Sequence, residues 1–409
     1  MRRSFTMGER EENLSEQDSD KEVQESKVTR YLFNPDETSE LLKAIYDSEQ
    51  ITETVEEVSV QDTIYKGLQA PATRVFPVHK SEWFDDLLEF LFDDLKRADT
   101  TFRQAVSPTE RLLLTLRFLA SGHSYSSLHL EFRLGKSTIQ GIVLSTCTLL
   151  WRKLQPIYMM FPDESKWMQV ADLFWRRCNF PHCIGAIDGK HVRVVCPPCS
   201  GSRYFNYKKY FSLVLLAIVD ADYKFLYVDI GSYGSSSDST IFKNSKFGRL
   251  LESGRLDMPN PLPWPGQLEP NRPFCLVGDE AFGLSTFIMR PYAQRGLNTT
   301  KRTFNYRLSR ARRMVECAFG IMAAKWRIFQ GSLQMTPEHA VTVIKAACIL
   351  HNYVREKEGV NLDDSDTPIV MAPHRAAIRA SGDALRLRDE LANYILTCVN
   401  YLWRNWYKR

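Results

Sequence analysis

The chain has no apolar run approaching the roughly 18 residues that a membrane-crossing helix needs, so no span is expected. Its first twenty residues, MRRSFTMGEREENLSEQDSD, contain no apolar segment of the kind that directs secretion, which predicts residence in the reducing interior. The nine cysteines lack the close, regular spacing of a disulfide framework, and free thiols are expected. Cys196 and Cys199 could supply half of a zinc site with Cys178 and Cys183 nearby. The spacing of the latter pair is a poor match to structural zinc, and a Pro-Pro loop after a strand explains the region without metal. A basic run of about five residues, as used for nuclear import, is also missing.

Net charge is slight, at +4 in 409 residues, but it is unevenly spread. Residues 1–60 hold 7 Lys/Arg against 16 Asp/Glu, which leaves +13 on the remainder. A basic body behind an acidic leader favours a polyanionic partner. The length predicts two or three folded units at about 100–200 residues each. A hydrophobic content of 44% with 25% charged residues is enough for a sizeable core.

Residues 1–30 are polar, charged and poor in aromatics, which predicts a disordered acidic leader. Residues 31–106 read as a helical N-terminal region to which no chemistry attaches. In residues 107–160, Ser107 and Pro108 open a helix that Gly122 stops, a short helix fits 124–132, and Leu134-Gly135 turns into a polar-headed third helix. That is a helix-turn-helix-like order, in which Lys136, Ser137, Thr138 and Gln140 could reach a DNA groove; many helical bundles contain similar turns.

From residue 183 the texture changes to strands, expected over 183–195, 211–220, 223–230 and 274–277. Two of these runs end in, or pass through, an acid: Asp188 in CIGAIDGKH and Asp279 in FCLVGDEAFG. A third acid, Glu316, rides a helix expected over 304–327, beside an apolar stripe of Leu308, Ala311, Val315, Ala318 and Met322. Residues 301–330 hold eight Lys/Arg and no other acid, so phosphate is an economical neighbour; the plainer alternative is an ion pair from Arg312 to Glu316.

Carboxylates gathered at buried strand ends repel one another unless a cation joins them. Hard divalent ions take such oxygen ligands together with substrate phosphate. Mg²⁺ or Mn²⁺ is therefore the expected cofactor, and phosphodiester cleavage is the chemistry that uses it. Asp238, after the loop 231–237 (GSYGSSS), reads either as a helix N-cap or as a fourth ligand. Lys190, His191 and Arg193 follow Asp188 closely enough for some to meet phosphate, with His191 equally readable as a satisfied structural histidine. Lys208 and Lys209 sit among aromatics suited to stacking on unpaired bases, although aromatics entering a strand are more often core. Arg310, Arg312 and Arg313 surround Glu316 and are the stronger phosphate candidates. His351 and Asn352 fall on an apolar C-terminal helix, where packing and helix termination are expected.

Several of these segments also carry a family resemblance: 183–191 (CIGAIDGKH), 200–208 (SGSRYFNYK), 278–282 (GDEAF), 305–320 (NYRLSRARRMVECAFG) and 350–352 (LHN). In that order, and over about residues 107–357, the chain resembles the PIF/Harbinger transposase family and its domesticated nucleases. The resemblance implies an α/β fold, a ribonuclease-H-like mixed sheet flanked by helices over 183–357, preceded by the all-α helix-turn-helix region and followed by a tail, 358–409, with a helix. It implies DDE chemistry with Asp188, Asp279 and Glu316 in the triad positions and Asp238 joining them at the metal. Many relatives have His before that last Asp, where this chain has Ser237.

The resemblance also implies DNA as substrate, a nuclear location with the cytoplasm as second compartment, and a separate Myb-like partner protein; further copies of the chain are another partner to consider. The competing expectations are a DNA-binding or scaffold protein that no longer uses its catalytic site, and a nuclease of the same fold acting on RNA.

Overall fold

The structure, a computed structural model, describes residues 82–101, 104–359 and 381–406. The expected leader 1–30, the helical region through residue 81 and much of the tail lie outside the described residues. All described elements belong to one unit, His79–Arg409.

The first helix, α1 (Glu82–Leu95), buries Leu87, Leu91 and Leu95, spaced by four. In α2 (Pro108–Ser121), Ser107 caps the start by accepting from the Glu110 N–H. Gly122, at φ 69°, closes it with an N–H bond to the Phe118 carbonyl, and only glycine takes that left-handed turn without strain. Helix α3 (Tyr125–Phe132) is capped by Ser124, and the chain turns at Arg133 into α4 (Lys136–Tyr158). Much of α4 is core: Ile139, Ile142, Val143, Cys147, Leu150 and Leu154 are all buried. It packs on α9 (Pro337–Glu358), which in turn covers part of the sheet.

The sheet has five strands in the order β3-β2-β1-β4-β5. Strands β1 (Cys183–Arg193), β2 (Ser212–Val219) and β3 (Phe225–Tyr233) form an antiparallel meander. Strands β4 (Cys275–Val277) and β5 (Ile288–Met289) extend it in parallel on the other side of β1. Every residue of β2 is buried, as expected for a strand covered on both faces. Helices α5 (Glu164–Cys178) and α8 (Thr299–Lys325) lie against β1, α9 lies against β3, and α6 (Asp238–Asn244) touches β2 before α7 (Lys246–Glu252). The last described helix is α10 (Gly382–Trp406), packed on α8. Among the described residues no helix is long and apolar enough to cross a membrane.

Several boundaries differ from expectation for identifiable reasons. Strand β1 stops at Arg193, because Val194 bridges to Leu333 instead. Strand β3 starts at Phe225, two residues late: Tyr223 has φ 63°, and Asp220 Oδ1 accepts the N–H groups of Asp222 and Lys224, making a side-chain-mimicked turn. Helix α8 begins five residues early, at an Asn298 cap that accepts from the Lys301 N–H. Its expected stripe, Leu308 through Met322, is fully buried.

Termination at His351 and Asn352 is corrected by the structure, since α9 runs on to Glu358. Both side chains are buried and are spent on the sheet. His351 Nε2 meets the Tyr223 carbonyl at 2.7 Å, and Asn352 accepts from Phe225 N–H and donates to the carbonyls of Phe225 and Tyr158. Asn352 thereby satisfies three backbone groups of two segments at one buried point.

Candidate active site

The sheet register explains how two acids far apart in sequence come together. In the parallel pair of β1 and β4, Ala186 lies opposite Val277. Two residues further along each strand come Asp188 and Asp279, so both carboxylates leave neighbouring strands at the same level, about 4.8 Å apart in strand spacing. Asp188 is still inside β1, opposite Ala217, and its Oδ1 accepts the Gly189 N–H at 2.8 Å. Asp279 has just left β4 and anchors the turn that follows, its Oδ1 accepting the Ala281 N–H at 2.8 Å.

The third acid approaches through a gap in the strand. A Cβ on Gly189 would collide with Asp238 Oδ1 and lie 2.7 Å from its Cγ, so the Asp238 carboxylate occupies the space a side chain would fill. The cap of α6 is Ser237, whose hydroxyl accepts from the Thr240 N–H, and not Asp238. With that duty assigned elsewhere, Asp238 is directed to the β1 surface.

Electrostatics follow from the crowding. The Asp188 carboxyl is pushed up to about 7 by desolvation, then by the negative charge of Asp279, with Asp238 adding to it. Arg312 and the Gly189 N–H pull the other way. Two like charges beside a buried carboxylate leave its ionised form short of compensation.

Arg312 has a second engagement, an ion pair with Glu316 one turn along α8. The same guanidinium acts on Asp188, so Arg312 stands between the two acids. The structure therefore brings Asp188, Asp238 and Asp279 together and links Glu316 to them through Arg312. Among the described residues no three His, Cys, Asp or Glu side chains are grouped tightly enough to hold a metal ion. The donor chemistry nevertheless fits a hard divalent cation: the Asp279 and Asp238 carboxylates add negative charge at the desolvated Asp188, and the Arg312 guanidinium opposes them. The four cysteines weighed for zinc divide, Cys178 and Cys183 being buried and Cys196 and Cys199 exposed.

The basic candidates occupy different settings. Lys190, on β1, is lowered by burial, then by the nearby charge of Lys208, with Asp188 opposing; its ammonium lies 5.7 Å from the Phe319 ring centroid. Lys208 and Lys209 are exposed, and Lys208 sits 5.5 Å from the Tyr207 ring centroid. Arg310 is turned to α5, donating to the Arg177 carbonyl at 2.8 Å, which gives it a structural task. Arg313 is partly buried on α8. Lys136 and Ser137 are exposed at the start of α4, with Thr138 and Gln140 partly so, and no contact shown ties these four to the acids.

Sequence reading missed a polar chain beside the site. His191 Nδ1 pairs with Ser212 Oγ at 2.9 Å, and the same hydroxyl accepts from Asn206 Nδ2 at 2.9 Å. A serine opening an otherwise apolar strand and an asparagine inside an aromatic run were the available signals.

Residues 187–352, which contain this sheet and its acids, match the family model described as DDE superfamily endonuclease. The chain is similar to "Protein ALP1-like" of Arabidopsis thaliana, 28% identical over 350 residues that cover 81% of this chain and 83% of that protein. It is also similar to "Putative nuclease HARBI1" of Bos taurus, at 25% identity over 75% of this chain and 84% of that one, and of Rattus norvegicus, at 26% over 65% and 72%. No solved structure matches. The similarity is thus to Harbinger transposase-derived, nuclease-named proteins, and its DDE superfamily endonuclease match centres on residues 187–352.

Proposed function

We propose that this protein is a divalent-metal-dependent DNA endonuclease, a transposase or a domesticated derivative of one, cutting phosphodiester bonds with Asp188, Asp279 and Glu316. The observation that carries this reading is the geometry that sets Asp188 and Asp279 at one level on neighbouring strands with Asp238 against Gly189; burial, then the Asp279 charge, push the Asp188 carboxyl up to about 7. The sheet order, an antiparallel meander continued by parallel strands with helices packed on it, supports a ribonuclease-H-like domain.

Asp188, Asp238 and Asp279 would hold Mg²⁺ or Mn²⁺, joined by Glu316 once it leaves Arg312. When bound, the cation eases formation of the attacking hydroxide and stabilises the 3′ oxygen that leaves. The protein's own groups do the rest. Asp188 and Asp279 are fixed by strand register, so little side-chain freedom is lost when they take up ligand. Gly189 keeps room for Asp238. Lys190 and Lys208 add positive potential beside Asp188 for the DNA backbone. Arg312 neutralises the site before substrate arrives and is released, with Arg313, toward phosphate.

Helices α2 to α4 support a helix-turn-helix reading in which Lys136, Ser137, Thr138 and Gln140 face DNA. A Myb-like partner, further copies of the chain and a nuclear location belong to the same reading. The alternative of a DNA-binding or scaffold protein that does not use its site draws on one observation, the engagement of Glu316 by Arg312. Cleavage assays with Mg²⁺ or Mn²⁺ on matched DNA and RNA, comparing wild type with Asp279→Asn, separate the readings. Metal-dependent cutting of DNA that the substitution removes is the expected result; cutting of RNA alone, or no cutting of either, overturns it.

A further inference from the structure

A cavity of about 300 Å³ opens beside Asp238, with His191, Phe205, Asn206, Tyr207 and residues 234–237 forming its walls. We propose that it receives a single unpaired nucleobase of the nucleic-acid substrate, stacked on Tyr207 next to the phosphate held at the acids. The ligand's identity rests on the nuclease reading above; the existence of a stacking site does not.

The walls suit that ligand in three ways. First, Phe205 and Tyr207 are 42% and 61% exposed, an unusual cost in water for two aromatics in one loop, and aromatic faces stack bases of any sequence. Second, Lys208 lies 5.5 Å from the Tyr207 ring centroid, so a mobile cation is at hand for the phosphate of a nucleotide whose base stacks there. Third, His191 and the serines of residues 235–237 supply polar groups for a base edge, while the volume falls at the small end of ligand pockets and suits one nucleoside better than paired bases.

The loop is also held in advance. Asn206 is buried, its Oδ1 accepting the N–H groups of Lys208 and Tyr210 and its Nδ2 donating to Ser212 Oγ. Ser212 Oγ is bonded in turn to His191, whose ring meets Tyr207 edge-on at 5.5 Å. On the opposite wall Gly234 is pressed against this loop: a Cβ there would collide with the Tyr204 carbonyl oxygen and lie 2.8 Å from that of Ser212. A preformed wall lowers the ordering cost of binding. Because Asp238 belongs both to this cavity and to the acid cluster, a base seated here adjoins the reacting phosphate.

Single-stranded oligodeoxynucleotides carrying 2-aminopurine along their length test this, with the full chain in Ca²⁺ and binding followed by anisotropy. Wild type is expected to bind and quench the fluorophore, and Tyr207→Phe to do the same. Tyr207→Ala should lose the quenching and weaken binding by about five- to a hundredfold. Equal binding and quenching by wild type and Tyr207→Ala overturns the proposal, as does a loss in Tyr207→Phe as large as in Tyr207→Ala. Cleavage of the same strands in Mg²⁺ is read separately. A protein that stacks the base but never cuts refutes the nuclease reading and leaves the base site standing; one that cuts without any Tyr207-dependent quenching refutes the base site alone.

Discussion

The carboxylate of Asp238 rests on the α-carbon of Gly189, one residue past Asp188 in β1, in the space where any other residue would carry its Cβ. Gly189→Ala should therefore displace Asp238 while leaving the sheet paired, because the atoms in the way end a side chain that can swing aside. Divalent-cation affinity, measured by calorimetric titration, is expected to fall about tenfold or more with the thermal midpoint nearly unchanged. Unaltered affinity would show that Asp238 takes no part.

Asp188 gives the metal-free protein a pH dependence whose sign is fixed. Its folded carboxyl titrates near 7 against an ordinary 3.8, so the folded state holds a proton that the unfolded chain has released. Stability from this group is full below about pH 4 and is lost as pH rises through 7. Asp220, raised to about 6 by burial, acts in the same direction, so the comparison must be between variants. Without metal at pH 8, Asp188→Asn should melt several degrees above wild type, and the gap should close by pH 4. A variant that melts lower at pH 8 would contradict the assignment.

How much of this was readable in advance differs by element. Ser107 and Gly122 announced both ends of α2, and the stripe from Leu308 to Met322 announced the buried face of α8, because caps and periodicity are local. Asp188 and Asp279 stood out as acids on apolar strands. Their adjacency depended on the parallel register of β1 and β4, which no local pattern encodes. The chemistry of strand-end carboxylates suggested that they meet, and the resemblance to a known family gave them triad positions. The engagement of Asn352 with three backbone groups, and the chain from Asn206 through Ser212 to His191, join residues distant in sequence and were invisible for the same reason. The short helices α6 and α7 lacked enough turns to show a period.

Arg312 is the cation through which Glu316 and Asp188 communicate. Arg312→Gln removes the counter-charge from Asp188 and frees Glu316. In metal-free buffer at pH 8 the variant should be less stable than wild type, and added Mn²⁺ should raise its melting temperature more than it raises that of wild type. An apparent affinity gain of about two- to fivefold is expected for release of a partly exposed pair. An identical Mn²⁺ response in both proteins would remove Arg312 from the account.

Asn352→Ala tests the scaffold alone. It leaves the Phe225 N–H and the carbonyls of Phe225 and Tyr158 without this partner in the interior, at a cost of about 2–4 kcal/mol in denaturant unfolding. A change below about 0.5 kcal/mol would show that the backbone there finds other partners.

The most direct test of the central claim is the cutting rate on double-stranded DNA in Mg²⁺ or Mn²⁺ for wild type, Asp188→Asn, Asp279→Asn and Glu316→Gln, each checked for intact folding by circular dichroism. A metal-dependent rate that drops about a hundredfold or more in each of the three variants is the predicted result. Full metal-dependent cutting by any one of them would contradict it.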